Sequence, residues 1–502
     1  MKKNLIYALS VALFGFSACS DDAMDEVNKD NQHPMPENVP AYLQLTEGIV
    51  STAFSTVSGD YAFYAATLTE QEIGVGNNQM MKAELRNPVE LAASTTFNNV
   101  WNSTYSNLLN LRQMQDKVNN NVNGNVEHYD VLGIAYLLEA INFGILTDMH
   151  GDIPYSEALQ GQGNLQPKLD SQKDIYAGII KTLDLAIENL KPIADGGNKT
   201  NNSGKQDLIF GGDAQKWLAT AYAVKARYLL HQLPQNAGIL SEVATAVANA
   251  EEYGFKGCAL DIFDGNTTVN PWAAFYLSRT YTASSKTVYD LMKAYGDDPR
   301  AVYYNSKYLR NPTTGKYEEI LDTKEAYAPG DKEIAQVADG SISFPAWLNY
   351  GNNAIQLMSY AEFNFIKAEV QARQGQDATE AYRAGVEAAV SEVLNIFGAE
   401  GAAEFAASLP ANPGLKEIFQ QKYLSQIVGE QVETYNDLRR CKALGEEWIT
   451  LTNPQNTQNG QNRWPEVLPY GNSGVISNTN IKAAYGDGSY VYTKKNWVNK
   501  GE

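Results

Sequence analysis

The sequence offers few side chains suited to covalent or metal chemistry. Its 502 residues include three cysteines and four histidines, too sparse a set of soft ligands to suggest a transition-metal centre. Cys258 and Cys441 lie far apart and in no CxxC spacing; an exported chain could pair them, but two free buried thiols are the expectation. His150 and His231 fall at the ends of helical stretches, where a hydrogen-bonded imidazole is expected rather than a catalytic one. Asp261, Asp264 and Asn266 surround Gly265 without the spacing of a calcium loop, which favours a solvated turn over a cation site. No HExxH, GxSxG, GxGxxG or Walker A pattern occurs, and Gly204-Lys205 lacks the upstream glycine and following Ser/Thr of a phosphate loop. With 58 acidic side chains some carboxylate pair always looks suggestive, and none is singled out. The expectation is no catalytic residue, no metal and no cofactor.

Cys19 is the exception. Lys2 and Lys3 form a positive start, Leu5 to Phe16 an apolar run, and Ser17-Ala18 a small-residue step directly before the cysteine. The run is too short to span a hydrocarbon core of about 30 Å, and the pattern is that of an export signal. A cysteine at the cleavage point makes it resemble a bacterial lipoprotein signal, in which that thiol is acylated and becomes the new N-terminus. Phe16 stands where leucine is commoner, and the alternative is an ordinary signal peptide with an incidental cysteine. Acyl chains contribute about 0.8 kcal/mol per buried CH₂, so two or more hold a protein on a membrane without crossing it. Ser20-Asp21-Asp22, Asp25 and Glu26 resemble the surface-export signal of Bacteroidetes outer-membrane lipoproteins. The plainer reading is a solvated tether, which Asn31 to Pro40 also suggests.

Composition narrows the rest. A formal charge of −19 and a pI near 4.8 argue against nucleic acid as a partner, since phosphate recognition wants a basic face. A mean hydropathy of −0.36 with one short apolar run excludes a polytopic membrane protein.

The remaining chain reads as helices separated by long loops. Trp101, Tyr105, Leu108 and Leu109 share one helical face, Tyr129 to Leu146 forms a second helix, and Ile175, Ile179, Leu183, Ile187 and Leu190 make a third stripe. That third helix opens at Ser171 with a capping pattern and is expected to stop at Lys191-Pro192. Further helices are predicted around Trp217 to Tyr228, over 239–253, 358–374 and 378–397, and as one long helix over 415–444. The expected fold is all-α, with tetratricopeptide-like helical hairpins and a large loop-rich excursion. The domain reading is 1–18 signal peptide, 19–40 lipidated tether, and 41–502 one helical domain with the insertion at about 255–350. Segments of that length inside a folded protein usually carry function.

Leu146 to Leu159 (LTDMHGDIPYSEAL) resembles the hallmark of the SusD/RagB family. Other blocks follow in the family's order: Asp170 to Tyr176, Gly212 to Trp217 with Lys225-Ala-Arg227, and Asp297-Asp-Pro-Arg300. Then come Tyr360-Ala-Glu362 with Lys367-Ala-Glu369, Gln420-Gln-Lys422 with Leu438-Arg-Arg440, and Arg463-Trp-Pro465 before Asn478. The last departs most, with an Arg-Trp-Pro-Glu-Val-Leu-Pro run where a compact Tyr-Pro step is usual. The resemblance implies a glycan-capturing outer-membrane lipoprotein facing the cell exterior, binding oligosaccharide or polysaccharide. It implies as partner a SusC-like TonB-dependent transporter over which the protein sits as a lid.

If sugar is the ligand, flat rings should stack on pyranose C–H faces, with amides and carboxylates bonding the hydroxyls. Loop aromatics are the candidates: Trp272, Tyr276, Trp347 and Tyr350, beside Asn270, Asn352 and Asn353, and a second group of Tyr61 and Tyr64. For each the alternative is ordinary packing. Tyr155 and Trp217, inside the motif blocks, are expected in the scaffold. Two rival functions remain: a lipoprotein of the same fold taking a non-glycan nutrient such as peptide, and a surface glycoside hydrolase, which would need two convergent carboxylates about 5–9.5 Å apart.

Overall fold

Apolar stripes at helical spacing fold back on one another as antiparallel pairs. The computed structural model describes residues 38–197, 203–332 and 342–501, so the expected export signal and Cys19 lie outside the described residues. Helices α1 (Ala41–Ser51), α2 (Asp60–Leu68), α3 (Asn98–Asn119), α4 (Tyr129–His150), α5 (Gln172–Ala194), α6 (Ala214–His231) and α7 (Leu240–Glu252) form the first part of the scaffold. Helices α8 (Tyr360–Arg373), α9 (Thr379–Ile396), α10 (Leu415–Ser425) and α11 (Gln431–Leu444) form the second. The closest packing joins α4 to α5, α5 to α6, α6 to α7 and α8 to α9, an all-α arrangement of tetratricopeptide-like hairpins that is 58% helical. Helix α4 is long and apolar enough to cross a membrane, but 94% of that apolar window is buried inside the protein; it is the scaffold's central core helix.

Local chemistry sets the ends. Ser171 accepts the Asp174 amide, Asp213 those of Gln215 and Lys216, and Ser359 that of Glu362, each oxygen satisfying an orphan N–H of a first turn. Helix α5 runs past its expected stop to Ala194, carrying Pro192 in its last turn. The stretch expected as one helix over 415–444 is two. It breaks at Gln426–Glu430, where Glu430 takes a left-handed φ of 65° and spends its carboxylate on the Ser359 amide at 2.7 Å.

The motif blocks meet in a buried charge lattice. Arg227 on α6 grips Glu362 on α8 through two nitrogens, with Glu430 at 3.4 Å and Glu433 on α11 at 3.9 Å. Arg440 pairs with Glu369 at 2.6 and 2.8 Å, and Lys422 with Asp437 at 2.7 Å. Arg300 holds Asp298 at 2.7 Å and reaches Gln421 at 2.8 Å. Blocks distant in sequence are thus the two halves of single ion pairs. Charges this deeply buried are stable only when paired.

Among the described residues, four two-stranded antiparallel sheets decorate the loops. Strand β1 (Glu72–Gly74) pairs with β3 (Thr282–Ser284), β2 (Cys258–Leu260) with β6 (Ile355–Met358), β4 (Lys307–Arg310) with β5 (Tyr317–Ile320), and β7 (Thr457–Gln458) with β8 (Gln461–Asn462). The β2–β6 pair closes the root of the loop-rich excursion. The tail caps the helices: Leu468 N bonds Met149 O at 2.7 Å and Asn496 Nδ2 bonds Asp148 O.

Candidate functional site

Of the six aromatic side chains expected to face ligand, five are in the core. Tyr61 is fully buried, and its hydroxyl lies 2.6 Å from His150 Nε2. Tyr64 is buried against Phe97 and bonds Glu90. Trp272 packs edge-on against Phe63 at 4.8 Å, Tyr276 stacks on Phe344 at 4.7 Å, and Trp347 is 1% exposed beside Tyr304. The excursion folds these rings inward onto the scaffold, and all three belong to the same hydrophobic core as the helices. Asn270 caps the helix that carries Trp272, and its amide bonds Asn353 O; Asn352 remains exposed. Tyr155 and Trp217 pack as scaffold, the latter donating to Asp207 at 2.7 Å.

Tyr350 is the sixth, and it lies at the surface, 39% exposed. The rings that join it come from the β4–β5 hairpin. Tyr308 pairs with Glu319 and Arg310 with Tyr317 in register, so all four side chains share one face. The turn is built by Asn311, whose side chain accepts the amides of Thr313 and Thr314, and by Gly315 at φ 70°. Tyr308 and Tyr317 stack at 5.4 Å with an interplanar angle of 14°, and are 41% and 49% exposed. Glu319 ties this pair to Tyr350: the Tyr350 hydroxyl donates to its Oε2 at 2.9 Å, and Asn349 reaches its Oε1 at 3.4 Å. Tyr350 stands edge-on to Phe397 at 5.0 Å, which stacks on Tyr303 at 4.0 Å. Burial and the Glu319 carboxylate push the Tyr350 phenol up to about 12, so it stays a neutral donor at ordinary pH. Gly265 makes the approach possible, since a Cβ there would meet the Tyr350 carbonyl oxygen at 2.2 Å.

The result is a shallow aromatic ledge edged by the Glu319 carboxylate and the Asn349 amide. Flat rings accept the C–H face of a hydroxylated ring, and Glu319 and Asn349 offer an acceptor and a donor for its rim. Tyr308 and Tyr317 were not among the sequence candidates. The signal was alternation of ring and charge on both sides of Asn311-Pro-Thr-Thr-Gly315, a hairpin pattern that helical periodicity does not detect.

Other polar clusters are accounted for structurally. Asp264 accepts the Thr267 hydroxyl and the amides of Thr268, Asn266 and Thr267 within its own turn, which holds its carboxyl well below the usual range. Asp148, His231 and Glu433 form the one cluster of metal-ligand type among the described residues. His231 sits between the two carboxylates at 3.4 and 2.9 Å. Burial opposes its charge, but Glu433 and Asp148 outweigh burial and raise it to about 9. An imidazolium with both nitrogens engaged has no lone pair for a metal. Burial pushes His150 down to about 3, so its Nδ1–H donates to Leu468 O while Nε2 accepts from Tyr61. Cys258 and Cys441 are free and buried.

Comparison with known proteins follows this geometry. Residues 61–463 match the SusD-like family described as starch-binding and associating with the outer membrane. A SusD/RagB family protein from Bacteroides thetaiotaomicron superposes with a TM-score of 0.80 at 32% identity, covering 92% of this chain and 100% of that one. A SusD homologue from Bacteroides fragilis gives 0.70 at 23% identity, over 92% and 100% of the two chains. A chitin-binding SusD homologue from Flavobacterium johnsoniae gives 0.68 at 18%, over 91% and 98%. Among curated proteins none matches this sequence. The family match over most of the chain, with a relative at 32% identity along its full length, makes this protein a member of the SusD/RagB family.

Proposed function

We propose that this protein is a cell-surface glycan-binding lipoprotein that captures oligosaccharide on the Tyr308–Tyr317–Tyr350 ledge and does not cleave it. The observation that carries the reading is the stacked, solvent-facing pair Tyr308 and Tyr317, joined to Tyr350 through Glu319. Exposed rings are expensive to leave in water and commonly mark a binding surface. The family description as starch-binding, and a chitin-binding relative of the same fold, support carbohydrate as the ligand class.

Acylation of Cys19 would hold the protein on the outer membrane, facing outward, with residues to about 40 as tether. A SusC-like TonB-dependent transporter is the partner this implies, with import of the captured glycan as the outcome.

A polysaccharide panel including starch and chitin oligosaccharides, titrated against wild type and the Tyr308→Ala/Tyr317→Ala double variant, tests the reading. Binding that the double variant loses supports it. Peptide binding with no polysaccharide binding would replace it with the non-glycan alternative, and release of reducing ends would make the protein an enzyme.

A further inference from the structure

Arginines in this protein are almost always engaged at their tips. The chain has eleven, and in ten of them a terminal nitrogen bonds another residue. Arg310 is the eleventh. Its Nε donates to Gly315 O at 3.0 Å, and among the described residues neither Nη1 nor Nη2 meets a hydrogen-bond partner or a carboxylate. The side chain is exposed.

This arginine belongs to the ledge. Arg310 lies opposite Tyr317 in the hairpin ladder, and Tyr308 opposite Glu319. One face of the hairpin is therefore a square of two rings and two charges. The rings, on one diagonal, stack at 5.4 Å; the charges occupy the other. Glu319, at the root, already accepts from Tyr350 and Asn349. Arg310, at the turn end, is anchored by one nitrogen and open at two.

No acid of the turn answers it. Glu318 lies one residue along from Tyr317 and so on the opposite face, where both its oxygens accept from Asn311 Nδ2 at 2.9 Å. Lys316, the other cation of the turn, is exposed and pairs with no carboxylate among the described residues. Residues 310–318 thus carry two cations against one carboxylate, on a protein of formal charge −19.

The open end has a definite chemistry. Two terminal NH₂ groups form a planar fork that matches the two oxygens of a carboxylate, and the anchor on Gly315 holds the plane in place beforehand. A hexuronate keeps the flat C–H face of a neutral hexose and adds a carboxylate at its rim. Repulsion from the rest of the protein is screened beyond about 8 Å at physiological ionic strength, so contact at the fork decides.

We propose that Arg310 makes the ledge selective for acidic glycans, with a uronate ring on Tyr317 and its carboxylate on Arg310 Nη1 and Nη2. This rests on the glycan reading of the ledge and narrows its ligand class.

The test uses the full-length lipoprotein in a sugar-free detergent. Oligosaccharides of galacturonate, of glucuronate and of mannuronate–guluronate are titrated calorimetrically, each beside its neutral, carboxyl-reduced counterpart. Starch, chitin and sulfated-glucan oligosaccharides run alongside. The variants are Arg310→Gln, Arg310→Lys and Tyr308→Ala/Tyr317→Ala, with a thermal melt to confirm that each is folded. At least one uronate oligosaccharide should bind about fivefold or more tighter than its reduced counterpart, the upper end for an exposed ion pair. That ratio should fall to about one in Arg310→Gln and recover only in part in Arg310→Lys, which keeps the charge but not the fork. The proposal is overturned if no uronate outbinds its reduced counterpart, if the ratio survives Arg310→Gln, or if the sulfated glucan alone binds. Neutral oligosaccharides bound by wild type and lost in the tyrosine variant, with no preference for uronate, remove the role of Arg310 and keep the ledge. Absence of binding to every oligosaccharide ends both.

Discussion

The Tyr61 hydroxyl and His150 Nε2 are 2.6 Å apart in the core, and this contact joins α2 to the end of α4. It explains why Tyr61, a sequence candidate for ligand contact, does not face solvent. Its phenol supplies the one proton a neutral, buried imidazole acceptor needs.

Tyr61→Phe should therefore cost stability and spare binding. Removing the donor leaves a buried acceptor unpaired, a loss of about 1–3 kcal/mol. Trp347→Ala, at a site 1% exposed, should cost about 3–5 kcal/mol through the cavity it opens. Denaturant unfolding checks both, and polysaccharide affinity measured on folded Tyr61→Phe should equal that of wild type.

The ledge predicts the opposite pattern. Tyr308→Ala and Tyr317→Ala remove rings that are 41% and 49% exposed, so melting should move little. Each should weaken glycan binding by about tenfold, the equivalent of about 1.4 kcal/mol. Calorimetric titration beside a thermal melt separates the two quantities.

His231 gives a pH signature. Its folded value is raised to about 9 by Glu433 and Asp148, which outweigh burial, against about 6.5 in an unfolded chain. A raised cationic group stabilises fully below the unfolded value, and that stabilisation is lost as pH climbs through the folded one. The destabilisation caused by His231→Gln should thus be largest near pH 6 and shrink toward pH 9. Urea unfolding of both proteins at several pH values reads this directly.

Arg227 anchors the charge lattice. Its loss in Arg227→Met leaves Glu362, Glu430 and Glu433 facing one another in a dry core, and breaking such a set costs about 3–5 kcal/mol. Soluble yield and melting temperature should both fall sharply. Adding Glu362→Gln should recover part of the loss, because one buried negative charge goes with it.

Much of the scaffold was legible from periodicity and end chemistry. The stripe from Ile175 to Leu190 and the Ser171 cap place α5, and Trp217 to Tyr228 place α6. The break between α10 and α11 was not legible, because Glu430 leaves helical geometry to satisfy Ser359 and Arg227, partners some seventy and two hundred residues away. Trp272, Tyr276 and Trp347 misled for a related reason. Composition marks a loop, but only packing tells which of its rings turn inward.

The sequence by itself determined the family, the helical class and the segment in which exposed aromatics would be found. Those properties follow from local patterns and ordered motifs. Tertiary structure alone decided that Tyr308 and Tyr317 stack at the surface in register with Glu319, which bonds Tyr350. Such sites are made of side chains brought together from separate segments, and the physics that joins them is the burial of everything around them.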